Sequence, residues 1–487
     1  MNSKSSLSLN ALLNLTRSIL SVIFPVITYP YAAKTLGAEN IGKISYVSSI
    51  VSYFSLFASL GVSSYGVRDG SKYRDNKKCL NRFVNEVFSI NIITTVLSLI
   101  LMFFAVTCIN ELKEYKFLLL ILSASVVFSA LSIDWINVIY EDYLIITIRN
   151  IFSYVICFFL LILSVNDSDD YYKYAFLQVL PGGIVCITNL VYCRKYIKLR
   201  FTRKINANQH IKKMAVFFAN SLAISLYVNS DITMLGILST DLYVGLYSGA
   251  AKVYNIIKNG IAAIYAVSVP RLAYYYAENK LDKYKAVYSR MFGLIILVLL
   301  PAMFGLIGVS KEIMYILGGF EYIAAAPCLS LLGIALIFAI CGGLVTACLN
   351  VTIGREKDNL IATIIGALIN IILNIFFIPK YGMYGAAITT VLAEAFVFLF
   401  CFIRIKHKNM YIDFRFIKIE TIHALLGCCA VIGWLYIVRL FIKVELLLLA
   451  LSVIGSVILY SIILFIVKDE VVMDFKDRLY TKFGVLN

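Results

Sequence analysis

The chain has 487 residues, of which 61% are hydrophobic and 15% charged, with a mean hydropathy of +0.86. A water-soluble domain carries nearer a quarter charged residues, so this composition excludes a soluble globular fold and makes a bilayer the expected solvent. The formal net charge of +16 invites a nucleic-acid reading. That reading is set aside because the cations gather in loops between apolar runs, where membrane topology and anionic headgroups account for them.

Apolar runs of about 20 residues, enough to cross a hydrocarbon core with every backbone group paired internally, recur from end to end. They predict an all-α polytopic membrane protein of about fourteen spans, over 11–33, 43–66, 83–108, 116–140, 144–164, 173–193, 214–238, 244–268, 291–310, 326–349, 361–378, 384–403, 419–440 and 445–467. The opening MNSKSSLSLN has one basic residue and no small-residue cleavage site follows, so the first run is read as an uncleaved helix. With the N-terminus inside, the loops at 68–82 and 194–213 together hold fourteen Lys and Arg, and further inner segments add Arg271, Lys280, Arg290, Arg404 and Arg415. Outer loops hold scattered singles such as Lys113 and Lys311. Positive loops stay in the cytoplasm, so both termini are expected there.

Eleven cysteines lie mostly within apolar runs, without the spacing of a metal knuckle, and the three histidines are read as lying outside any ligand pattern. Neither a metal nor a cofactor is expected. A catalytic reading needs a polar loop carrying an acid and a base; the outer segment VNDSDDYY at 165–172 is short and reads as a solvated turn. The chain is therefore not expected to be an enzyme.

Two segments resemble one another. TLGAENIGKISYVSS begins at Thr35 and MLGILSTDLYVGLYSGA at Met234, each running Leu-Gly, a polar turn, Gly, then an aromatic and small-residue helix start. This makes spans 1–6 and 7–12 two lobes of parallel orientation, as in transporters whose repeats share an axis along the membrane normal. The expected division is 1–213 for the first lobe with its basic linker, 214–418 for the second, and 419–487 for two additional helices and a tail.

Polar residues align on particular spans. At 100° per residue, Asn10, Asn14, Arg17, Ser21 and Thr28 occupy a sector of roughly 60° on the first span, and Ser248, Lys252, Asn255, Lys258 and Asn259 an arc of about 120° on the eighth. The seventh aligns Asn220, Tyr227 and Asp231, and the fourth Ser123, Asp134, Asn137 and Glu141, while Arg149 and Glu394 are further intramembrane charges. A central Lys or Arg costs at least roughly 2.5 kcal/mol on insertion scales, so a wet cavity or an ion partner is expected at each. For the serines of the second span, Ser45, Ser48, Ser52, Ser55 and Ser59, helix packing is the expected role. Candidates for substrate binding are thus Arg17, Lys252, Lys258, Asn255, Asn259, Asn14, Asn220, Tyr227 and Arg149; Asp231, Glu394 and Asp134 are candidates for ion coupling.

The run from Phe24 to Asn76, with Pro-Tyr, Leu-Gly, Gly-Lys and Tyr-Gly-x-Arg in order, resembles the N-terminal signature of Wzx-type oligosaccharide flippases. The likeness continues through DWINVIYEDYLIITIRN from Asp134, SLYVNSDITMLGILSTDLYVGLYSGAAKV from Ser225 and GMYGAAITTVLAE from Gly382. It implies the multidrug, oligosaccharidyl-lipid and polysaccharide exporter superfamily, a V-shaped cavity between two six-helix lobes, and an undecaprenyl-diphosphate-linked O-antigen or capsule repeat unit as substrate. It further implies residence in the bacterial inner membrane beside a polysaccharide polymerase and chain-length machinery. Related lipid II flippases carry basic residues early in helix 1 and in helix 8; Arg17 and either Lys252 or Lys258 hold the matching places. Lysine there replaces a bidentate fork with a point charge. The rival readings are a drug/cation antiporter, which calls for an acidic aromatic cavity, a membrane-embedded polymerase or acyltransferase, and a non-transporting scaffold.

Overall fold

A computed structural model describes residues 7–203, 205–406, 414–474 and 476; the side chains of 7–12, 14, 15, 17–19, 21–23, 406, 414 and 415 lie outside the described set. Among the described residues the ordered structure is helical throughout. In chain order the long helices are α1 (Leu7–Ser59), α2 (Lys77–Cys108), α3 (Lys116–Leu131), α4 (Tyr143–Ser164), α5 (Tyr171–Tyr192), α6 (Ala207–Leu238) and α7 (Asp241–Ala266). They continue with α8 (Leu281–Gly308), α9 (Ala326–Gly343), α10 (Glu356–Tyr381), α11 (Met383–Lys406), α12 (Phe414–Phe441) and α13 (Glu445–Ile466).

Among the described residues, twelve helical stretches have the length and hydropathy to cross a membrane, against the fourteen expected. The difference falls at two places. Phe24–Tyr73 counts as one stretch of 50 residues, although Gly37 interrupts it at φ 77 and ψ 166, a conformation open to glycine and closed to residues with a Cβ. The helix resumes at once after Gly37, where the sequence predicted a longer turn. The second place is α7, absent from the twelve because Lys252, Asn255, Lys258 and Asn259 dilute its apolar run.

The chain forms two compact units, Met1–Gly245 and Leu246–Asn487, with the boundary inside α7. In the first unit α1 is the centre, packing on α2, α3, α4 and α6, while α5 packs on α3 and α4. Hydroxyls join these helices: Ser98 donates to the Phe54 carbonyl (2.7 Å) and Thr94 to that of Ala58 (2.6 Å), linking α2 to α1. Asn229 of α6 donates to Ser52 (3.2 Å) and Thr233 to Ser49 (2.9 Å), so α1 and α6 meet through a polar seam of the kind that replaces the hydrophobic effect in lipid.

The repeat segments give their glycines unequal work. Gly42 and Gly245 lie backbone to backbone: a Cβ on Gly42 would overlap the Asp241 carbonyl, and one on Gly245 the Ala38 carbonyl. The Leu-Gly pairs are not equivalent, because Gly37 breaks a helix whereas Gly236 sits inside α6, where a Cβ would overlap the Tyr46 ring.

In the second unit α11 packs on α9 and α10, and α8 on α9 and α12. A π-helical turn, Leu344–Asn350, extends α9, and Tyr284 of α8 donates to the Cys348 carbonyl there (3.0 Å). The last two helices pack on each other and on α8 around Leu297, Cys428, Val431, Leu435 and Tyr460, the tyrosine donating to the Leu297 carbonyl (2.7 Å).

Candidate functional site

The eighth predicted span becomes α7, a regular helix whose i, i+3 and i+4 spacing carries Lys252, Asn255, Lys258 and Asn259 along one side. Lys258 donates to Glu394 of α11 at 2.7 Å, and Tyr254 donates to the same carboxylate at 3.3 Å. Glu394 is nearly sealed, its side chain 7% exposed, while Lys258 keeps 28% of its own. One turn before Glu394, Thr390 shares a hydrogen bond with Tyr247 of α7 (3.3 Å). A proposed substrate cation and a proposed coupling carboxylate are therefore partners. Lys252 is half-buried, as is Asn255, and Asn259 is exposed.

A second pairing lies in the first unit. Arg149 of α4 donates to Asp134 at 2.8 Å, and the arginine side chain is 3% exposed. The same Asp134 oxygen accepts from Asn189 of α5 (2.9 Å), and the Asn189 carbonyl oxygen accepts from Asn137 (2.6 Å). Among the described residues the Nε and Nη1 of Arg149 have no hydrogen-bond partner. A guanidinium held by one carboxylate with further donors open can still receive an anion.

Of the other candidates, Asp231 is buried on α6, Tyr227 is half-buried and Asn220 exposed. The side chains of Asn14 and Arg17 lie outside the described residues, though both positions belong to α1. Glu141 faces Arg74 (2.7 Å) at a turn where its own φ is 58. Sequence reasoning missed Asn189, Asn370 and Asn374. Thr389 donates to Asn374, which donates to Asn370 (3.1 Å), a polar seam joining α11 to α10 that reads in the sequence only as isolated amides within apolar runs.

The Tyr-Gly-x-Arg signature builds a support. Tyr65 bonds His210 Nδ1 (2.8 Å), whose Nε2 meets Glu86 (3.1 Å), itself paired with Arg82 (2.8 Å). Gly66 makes room for the Trp135 ring, and Arg68 lies over Phe217 at 4.8 Å while bonding Asp69 (2.8 Å). Nearby Asp142 accepts from Tyr196 (2.7 Å), and burial, reinforced by that bond, holds the phenol above its ordinary pKa.

Long apolar helices seamed by hydroxyls and amides, with intramembrane charges joined in pairs, define a polytopic helical membrane protein. Residues 7–276, more than half of the chain, match the family described as polysaccharide biosynthesis protein, and the chain belongs to that family. It is 28% identical over 208 residues to the probable low-salt glycan biosynthesis flippase Agl15 of Haloferax volcanii, covering 41% of each chain. It is 23% identical over 255 residues to a putative O-antigen transporter of Escherichia coli K12, covering 52% of this chain and 61% of that one. The match thus spans less than two thirds of either relative. A putative O-antigen transporter of Shigella dysenteriae is 24% identical over 392 residues, 78% of this chain and 94% of its own. In fold, the chain is similar to the lipid II flippase MurJ in an inward closed conformation, with a TM-score of 0.78, 18% identity and coverage of 95% and 100%. An inward-facing multidrug resistance MATE transporter follows at 0.62, 14% identity, and 82% and 98%.

Proposed function

We propose that this protein is a flippase that carries undecaprenyl-diphosphate-linked oligosaccharide repeat units, of O-antigen or capsule, from the cytoplasmic to the outer leaflet of the bacterial cytoplasmic membrane by alternating access. The observation that carries this reading is α7, which sets Lys252 and Lys258 along one side of a helix with Asn255 and Asn259. Such a face is costly in lipid and suits a diphosphate and sugar hydroxyls. A drug/cation antiporter would need the opposite charge. Membership of the family and the names of its relatives support the same direction.

The Lys258–Glu394 pair supplies a coupling scheme. An arriving diphosphate competes for Lys258, and the displaced Glu394 is left buried, where an uncompensated carboxylate takes a proton or a sodium ion. Arg149 and Asp134 offer the same exchange in the first unit. For the lipid tail, a cavity of about 690 Å³ runs between α8 and α13, lined by Met291, Leu294, Leu297, Val298 and Leu464, with Arg271 and the Arg290–Asp474 ion pair alongside. Apolar walls beside basic residues suit a prenyl chain whose headgroup is anionic. Both termini are assigned to the cytoplasm, and polymerase and chain-length proteins are the expected partners downstream.

The test is deletion of the gene and complementation with wild type, Lys252→Glu or Lys258→Glu, followed by analysis of surface polysaccharide and of lipid-linked glycan at the inner leaflet. Wild type should restore the polysaccharide, while the reversals, at normal protein abundance, should leave the lipid-linked unit accumulated inside. Full function in both reversals would overturn the reading. Conversion of lipid-linked sugar to a longer or acylated product by the purified protein would establish the enzymatic rival instead.

A further inference from the structure

We infer that Glu420, His423 and Asp469 form a binding site for a divalent transition metal, with Zn2+ the ion that fits the donor set, where α12 begins and α13 ends. Glu420 and His423 stand one turn apart on α12, which sets them side by side. Asp469 comes from the other chain end of the pair. Lys468 takes a left-handed conformation (φ 54) just beyond α13, and the Asp469 amide donates back to the Leu464 carbonyl (3.0 Å), so the chain turns and aims the aspartate inward. One carboxylate oxygen, Oδ1, accepts from the amides of Val471 (3.1 Å) and Val472 (3.2 Å). The other, Oδ2, lies 2.9 Å from His423 Nδ1. One ligand atom from each of the three residues lies within 4.8 Å of the others.

Capping and the histidine contact account for Asp469, whereas Glu420 faces other carboxylates, that of Asp469 within hydrogen-bonding reach. Glu420 is fully buried, and among the described residues neither of its carboxylate oxygens accepts from an N–H or hydroxyl donor. Gly293 of α8 faces this part of α12: a Cβ there would come to 2.7 Å from the Phe416 ring and 3.0 Å from Glu420 Cγ. Two sealed carboxylates set against one another must share either a proton or a cation. The pair and the imidazole beside it favour the cation, because two carboxylates cancel a divalent charge and leave a neutral centre. One nitrogen and two oxygens at bonding distances of roughly 2.0–2.2 Å suit zinc, whereas calcium and magnesium call for six or more oxygen ligands. A cavity of about 360 Å³ is lined by Ser289, Phe416, Glu470 and Val471, the last two following Asp469 in the chain. The expectation from sequence spacing of no metal centre considered each histidine with its near neighbours; Asp469 arrives from 46 residues away. The inference stands apart from the flippase reading.

The full chain in lipid nanodiscs, stripped with a chelator and dialysed, is titrated with Zn2+ alone by calorimetry, with thermal unfolding followed in parallel. Wild type should bind one ion per chain and gain in Tm. Glu420→Gln, a neutral isostere that relieves the buried charge and so should fold, and His423→Gln should each lose at least tenfold in affinity together with the Tm gain. Absence of zinc uptake by wild type, or uptake by Glu420→Gln equal to wild type, would overturn the proposal in favour of a proton shared between Glu420 and Asp469. Should His423→Gln fail to fold, the isosteric variant decides the matter by itself.

Discussion

At 2.7 Å, Lys258 and Glu394 neutralise one another, so a substitution at either has two separable effects, on folding and on transport. Exchanging the two, Lys258→Glu with Glu394→Lys, retains the attraction while moving one of the two cations of α7 onto α11. Protein abundance in the exchanged variant should return to that of wild type while surface polysaccharide stays low; recovery of both would reduce the pair to a structural tie. In the first unit, Asp134→Asn leaves Arg149 sealed without its anion, an arrangement expected to cost about 3 kcal/mol, read as a fall in Tm of the detergent-solubilised protein. The sequence displayed these charges clearly, since each is conspicuous within an apolar run. Their pairing was hidden, because Lys258 and Glu394 lie 136 residues apart and helical periodicity fixes a face without naming the neighbour it meets. The amides of Asn189 and Asn374 escaped notice for a related reason: a lone uncharged side chain carries little weight in a hydropathy pattern until the partner across the helix is known.

Among elements, the contact of Gly42 with Gly245 sets how closely α1 and the start of α7 approach. Gly245→Val or Gly42→Leu should abolish the monodisperse peak in size-exclusion chromatography of a fluorescent fusion. Gly260→Ala, on the same α7 but with open space where its Cβ would stand, should preserve it. The recurrence of glycine in the two related segments was legible, and so were nearly all the helices, because runs of about 20 apolar residues have few alternatives in a bilayer. The form of the first turn was not. A lone Gly37 with positive φ joins two helices without a loop, and only the backbone angle distinguishes this from the polar turn that Glu39, Asn40 and Lys43 suggest.

For the whole molecule, the basic loops are expected to face the cytoplasm, and two exposed cysteines can test that orientation directly. Cys79 opens α2 next to Lys77 and Lys78, on the side assigned to the cytoplasm, whereas Cys108 closes the same helix on the other side. A membrane-impermeant maleimide added to intact spheroplasts should label Cys108 and spare Cys79, with both labelled after lysis; the reverse pattern would invert the topology. The shape of α7 also bears on how the protein is made. When α7 leaves the ribosome, α11 has yet to be synthesised, so Lys258 meets the insertion machinery without Glu394. A central lysine opposes entry by roughly 2.5–3.5 kcal/mol, and α7 has two to bring in on a weakly hydrophobic background. Biogenesis should then be ordered, with α7 expected to stay at the translocon or in the aqueous phase until its counter-charge emerges: nascent chains arrested before Met383 should leave α7 open to water-borne reagents that chains extended beyond Lys406 exclude.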